Sequence, residues 1–105
     1  GTQQGDVAEA QATWNVFGAK VPVSSLKSYM GHTLGACGAL EAWMSIEMMR
    51  TGWFAPTVNL TRVDPLCAEL EYIVDAGREL QCEYIMSNNF AFGGINTSLI
   101  FRRCA

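Results

Sequence analysis

The stretch Lys27-Ser-Tyr-Met-Gly-His-Thr-Leu-Gly-Ala-Cys-Gly-Ala-Leu-Glu41 sets the only histidine of the chain, His32, between a lysine five residues back and an apolar run ahead. That run predicts the longest helix, from Thr33 to about Thr51. Leu34, Cys37, Leu40, Trp43, Met44, Ile46 and Met48 point in nearly every direction around its axis, interrupted only by Glu41, Glu47 and Arg50. A helix apolar all round must be covered all round. A chain of 105 residues has little material for that, so part of this surface is expected to lie under protein outside the chain or under a partner subunit.

Outward from this segment, Asp6-Val-Ala-Glu9 fits a capping box and predicts a helix from about Asp6 to Phe17, with Gly18 as its stop. Lys20 to Ser25 reads as a short strand, which Pro22 places near an edge. Gly52 ends the long helix, and Pro56 to Pro65 reads as an irregular connection with Asn59 and Asp64 as turn formers. Glu71–Val74, Glu83–Ser87 and Asn96–Arg103 read as strands, with Thr97, Leu99 and Phe101 on one face of the last. A glycine-rich loop, Phe90-Ala-Phe-Gly-Gly94, joins the last two as an antiparallel pair. The class is α/β within a single domain spanning residues 1–105.

Composition narrows the function classes. Half the residues are hydrophobic and 16% are charged, which fits a packed core rather than disorder. The net charge of −3 and the lack of any basic run beyond Arg102-Arg103 argue against a nucleic-acid surface. No apolar stretch approaches the roughly 20 residues of a membrane span, and no export signal is visible. Cys37, Cys67, Cys82 and Cys104 are scattered, with no Cys-x-x-Cys and no second histidine. That pattern argues against a metal site and for reduced thiols in a cytoplasmic protein.

Five motifs, in order, carry a resemblance: Gly5-Asp-x-x-Glu9; Lys27-x-x-x-Gly31-His32; Leu34-Gly-Ala-x-Gly-Ala-x-Glu41; Pro56-x-x-Asn59; and Asn88-x-Phe90-x-Phe92-Gly93-Gly94-x-Asn96. Together they resemble the C-terminal half of a β-ketoacyl-acyl-carrier-protein synthase of the thiolase superfamily. The resemblance implies a thiolase-like half: a mixed sheet of about five strands flanked by helices, its first strand lying before Gly1. It also implies that the chain is a fragment. A first active-site histidine would fall three residues before Gly1, and the nucleophilic cysteine further upstream. The fragment is therefore expected to be inert alone.

The implied reaction is a decarboxylating Claisen condensation, in which an acyl chain waits as a thioester on the missing cysteine and malonyl-carrier protein loses CO₂. Negative charge then develops on thioester oxygens, where preorganised donors count most. His32 is the expected donor to the malonyl carbonyl. A helix N-terminus and Lys27 nearby both favour a neutral imidazole. Lys27, taken as buried beside an apolar helix, needs an anion, and the resemblance names Glu41, pointing away from His32. The backbone N–H of Phe92 would complete an oxyanion hole, its ring would gate the acyl pocket, and Phe90 and Gly93 would line the substrate path. Thr2 would bind the phosphopantetheine arm. Gly31 is expected to let the backbone turn, and Gly35 and Gly38 to permit close packing. There are two departures. Ala91 stands where the family usually has glycine, which is expected to stiffen the loop and alter gating or chain-length preference. Gln3 replaces a usual proline.

No metal or bound organic cofactor is implied; phosphopantetheine arrives on the acyl carrier protein. The implied partners are the N-terminal half of the same synthase, the carrier protein, and a second subunit in a homodimer or a ketosynthase heterodimer. The alternative reading is a non-catalytic chain-length-factor subunit paired with a true ketosynthase; the retained Lys27, His32 and Glu41 argue against it. A free-standing binding module would have to keep the all-round apolar helix in water, which invites aggregation.

Overall fold

A computed structural model describes residues 1–104, organised as two compact units. The first comprises Gly1–Tyr29 and Ala55–Gly77, and the second Met30–Phe54 and the chain from Arg78 onward.

The first unit opens with α1, Gln3–Phe17. Its cap is Thr2 rather than the expected Asp6: Thr2 Oγ1 accepts the Gly5 N–H at 3.1 Å, and Asp6 lies inside the first turn, where its charge suits the positive end of the helix. Gly5 fits this cap because a Cβ there would run into the Thr2 hydroxyl. Gly18 ends the helix as expected, its N–H returning to Trp14 O at 2.7 Å. β1 (Pro22–Val23) pairs in parallel with β3 (Glu71–Tyr72), matching Pro22 with Glu71 and Val23 with Tyr72. Ala10, Leu26, Ala55, Pro56 and Ile73 are buried in this unit.

The chain then enters a short helical turn, α2 (Lys27–Met30), and a 3-10 turn at Leu34–Ala36 before α3 (Cys37–Thr51). The sequence predicts one uninterrupted helix from Thr33. Leu34 interrupts it, because its φ of 53° is left-handed and breaks a continuous right-handed α-helix. Cys37, Glu41, Ser45, Met48 and Met49 form the buried stripe of α3, at helical spacing. Apolar side chains remain on the other sides: Trp43 is 60% exposed, and Ile46 and Met44 are exposed too.

Gly52 closes α3 in the left-handed conformation, φ 72°, with its N–H on Met48 O at 2.9 Å. Arg103 donates to Met49 O, placing a cation on a carbonyl of the last turn. β2 (Trp53–Phe54) pairs antiparallel with β4 (Arg78–Glu79), and β5 (Tyr84–Phe90) with β6 (Asn96–Arg102). The hairpin register runs from Tyr84 opposite Arg102 to Phe90 opposite Asn96, and α3 packs on β5 and β2. The α/β class therefore holds. Among the described residues the strands pair off in three two-stranded sheets, where the sequence suggests one mixed sheet of about five. Two-residue strands such as β1 and β3 offer too few ladder bonds to extend further by themselves.

Candidate active site

His32 follows Gly31, whose φ of 70° turns the chain as expected. The ring is exposed, and its Nδ1 accepts the backbone N–H of Leu34 at 3.0 Å. A nitrogen that accepts carries no proton, so the proton of a neutral ring sits on Nε2. A neutral ring would thus present one N–H, at Nε2. The helix terminus expected to act on the ring is more distant than the sequence suggests. The first helical residue of α3 is Cys37, five positions on, and a helix terminus acts mainly over one turn. The local backbone bond sets the tautomer instead. Beside it, Thr33 Oγ1 is buried without a hydrogen-bond partner among the described residues, an uncommon state for a hydroxyl.

Glu41 is 6% exposed, on the inner stripe of α3. Its Oε2 accepts from Asn89 Nδ2 at 2.8 Å, and its Oε1 lies 3.5 Å from Cys37 Sγ, one helical turn back. The second unit thereby ties Glu41 to the strand that leads into the glycine-rich loop. No sequence motif points to Asn89. It occupies the variable place in Asn88-x-Phe90, and its partner lies 48 residues away, beyond any local pattern.

The loop after β5 is held by Ala91 N–H on Ile95 O at 3.0 Å and Gly94 N–H on Ala91 O at 3.3 Å. The Phe92 N–H takes no part in these two bonds. Gly93 and Gly94 have φ of 84° and 77°, which only glycine adopts freely. Phe92 is 85% exposed and Phe90 49%. Ala91 is absent from the left-handed residues, so its methyl group meets no backbone strain in this conformation. The expected stiffening can act only on excursions to positive φ.

Lys27 and Thr2 belong to the first unit. Lys27 is half-buried rather than buried and begins α2, which is lashed down on both sides: Ser25 N–H donates to Thr57 Oγ1 at 2.8 Å, and Val58 N–H to Ser28 Oγ at 3.0 Å. The Pro56-x-x-Asn59 motif supplies these partners and turns at Asn59, φ 65°. Thr2 Oγ1, accepting from Gly5, still has its own proton to donate. A Cβ built on Gly35 or Gly38 meets nothing within 4 Å, so the expected close packing at these glycines does not arise within the described residues.

Among the described residues, no three His, Cys, Asp or Glu side chains converge as a metal site would require. No helix is long and apolar enough to cross a membrane. An open cleft lined by Gln81, Cys82, Glu83, Arg102, Arg103 and Cys104 sits at the opposite end of the hairpin, about 20 Å from the loop at strand rise. It has no part in this site.

Comparison with known proteins gives a consistent result. Residues 1–61 match the family described as "Beta-ketoacyl synthase, C-terminal domain". The chain is 41% identical over 103 residues to 3-oxoacyl-[acyl-carrier-protein] synthase 1 of Haemophilus influenzae, covering 97% of this chain and 25% of that protein. It is likewise 41% identical over 104 residues to 3-oxoacyl-[acyl-carrier-protein] synthase 1 of Escherichia coli K12, with the same coverage. The crystal structure of a beta-ketoacyl synthase from Burkholderia phymatum STM815 superposes with a TM-score of 0.96 at 68% identity, over 99% of this chain and 26% of that one. The chain thus spans about a quarter of the length of these relatives.

Proposed function

Since this chain belongs to the β-ketoacyl synthase family, we propose that the protein it forms part of condenses malonyl-carrier protein with an acyl thioester, losing CO₂, in fatty-acid synthesis or in polyene or polyketide synthesis. The observation that carries the reading is the His32–Leu34 bond, which leaves Nε2–H as an outward donor. In this reading that N–H receives the malonyl thioester oxygen as CO₂ departs and the enolate forms. The Phe92 N–H, which takes no part in the two bonds that hold the loop, joins the oxyanion hole around the acyl carbonyl. Phe92 and Phe90, both exposed, border the acyl path with Gly93. Thr2 donates to the phosphopantetheine arm, and Lys27 and Glu41 hold the site's charge and water without touching substrate.

The nucleophilic cysteine and a second histidine come from the N-terminal half of the same protein. That half also covers the exposed side of α3 around Trp43 and approaches the open glycines, Gly35 and Gly38. The carrier protein docks at the pantetheine entrance, and the enzyme works in the cytoplasm as a dimer. The 105-residue chain alone is inactive.

The test uses the full-length protein, acylation of its cysteine and decarboxylation of malonyl-carrier protein being followed separately. Both activities are expected. A protein that lacks the cysteine and supports condensation only when paired with another synthase would instead be a chain-length factor, with His32 a structural residue.

A further inference from the structure

We propose that Asn89 is a positioning residue for Glu41, an inference that rests on the reading of Glu41 just given. A carboxylate as buried as Glu41 needs a partner for each oxygen. The two partners seen differ in strength. Cys37 Sγ, at 3.5 Å, is a weak thiol donor, whereas the Asn89 amide at 2.8 Å makes a short N–H···O bond. Of these two, Asn89 is the stronger hold on the direction of the carboxylate.

The amide is itself held firmly. Asn89 sits on β5 opposite Thr97, next to the last residue before the loop. Side chains alternate along a strand, so an Asn89 aimed at α3 leaves Asn88 and Phe90 on the other face. Asn88 agrees with that alternation: its Oδ1 accepts from Ser98 Oγ on the facing strand at 2.6 Å. A displacement of the Phe90–Gly94 loop root would carry the amide with it and turn the carboxylate. The Asn89 side chain thereby links loop and carboxylate.

The test is made in the full-length enzyme, with malonyl-carrier-protein decarboxylation and cysteine acylation as separate readouts. Asn89→Ala should slow decarboxylation about tenfold, the loss expected for one hydrogen bond to a buried carboxylate, and leave acylation unchanged. Asn89→Asp, nearly the same size, should be slower still, because two carboxylates then face each other. In a Glu41→Gln background the Asp substitution should cost nothing further, since the amide introduced at position 41 can donate to it; such non-additivity in decarboxylation, with acylation unchanged, would not arise from a merely structural role.

Parent-like decarboxylation in Asn89→Ala and Asn89→Asp, with Glu41→Gln impaired, would overturn the positioning role and leave the function standing. Parent-like decarboxylation in Glu41→Gln would overturn the role of Glu41 and the inference with it. A parent enzyme that decarboxylates nothing would overturn the functional reading itself. Should Asn89→Ala fail to fold, the Asp substitution in the two backgrounds decides, equal losses in both counting against the proposal.

Discussion

The backbone N–H of Leu34 donates to Nδ1 of His32 at 3.0 Å, so two residues of one tight turn determine which ring nitrogen is free to act. The chain leaves this turn through φ 53° at Leu34, a conformation that costs a branched side chain about 1–2 kcal/mol. Strain of this kind persists where surrounding structure enforces it, and it gathers at functional sites.

From the tautomer it follows that His32→Ala in the full-length enzyme should lower malonyl decarboxylation by about 100-fold or more, the usual effect of losing one donor to a developing oxyanion. Acylation of the cysteine should stay near the parent rate. Loss of acylation with decarboxylation retained would reverse the assignment.

Leu34 offers a sharper check. Leu34→Gly keeps the N–H and adopts the left-handed φ without strain, so decarboxylation should remain within about threefold of the parent. Leu34→Pro has no N–H and a φ near −65°, and should lose about tenfold or more. Steady-state rates that do not separate the two variants would mean that the backbone bond does not govern His32.

The long central helix was legible in its apolar run, and so were its glycine stop and the final hairpin. The boundary at its start was not. Nothing in Thr33-Leu-Gly-Ala36 announces that leucine will adopt a glycine-like φ, because the local bond to His32 competes with helix propagation there. The sequence marks the end of α1 at Phe17 but starts it three residues late, at Asp6 instead of Gln3, since Asp6 and Thr2 are both good cap residues and the choice depends on where the chain enters. β2 and β4 are too short to leave any periodicity. For the candidate site, the family resemblance points to His32, Glu41 and the loop, whereas the Asn89 partner of Glu41 is a long-range contact that no spacing encodes.

Gly52 should tolerate no side chain. Gly52→Ala must hold φ 72° and meets the Gln81 side chain. The backbone part alone costs about 1–2 kcal/mol, and chemical denaturation should show a loss of at least that size. Adding Gln81→Ala should recover only the excess, because the collision involves the far end of a flexible side chain. Full recovery would mean that φ contributes nothing.

Cys67 should be a slow thiol. Burial pushes it up from its ordinary value, and Asp64 and Asp6 add in the same direction by disfavouring the thiolate. The thiolate is the reactive form, so alkylation by iodoacetamide should need a higher pH in the folded protein than in the unfolded one. Peptide mass spectrometry across a pH series measures both midpoints; a folded midpoint at or below the unfolded one contradicts the burial argument.

The alternation along β5 has a consequence for how the chain finds its fold. A hairpin docking on α3 one residue out of step would offer Asn88 or Phe90 to Glu41 in place of Asn89. With Phe90 inward, the buried carboxylate loses its amide and the arrangement is penalised by about 1–3 kcal/mol. Were position 41 apolar, either docking would be tolerated almost equally. The polar pair therefore acts as a register mark: it favours docking with Asn89 inward over docking with Phe90 inward.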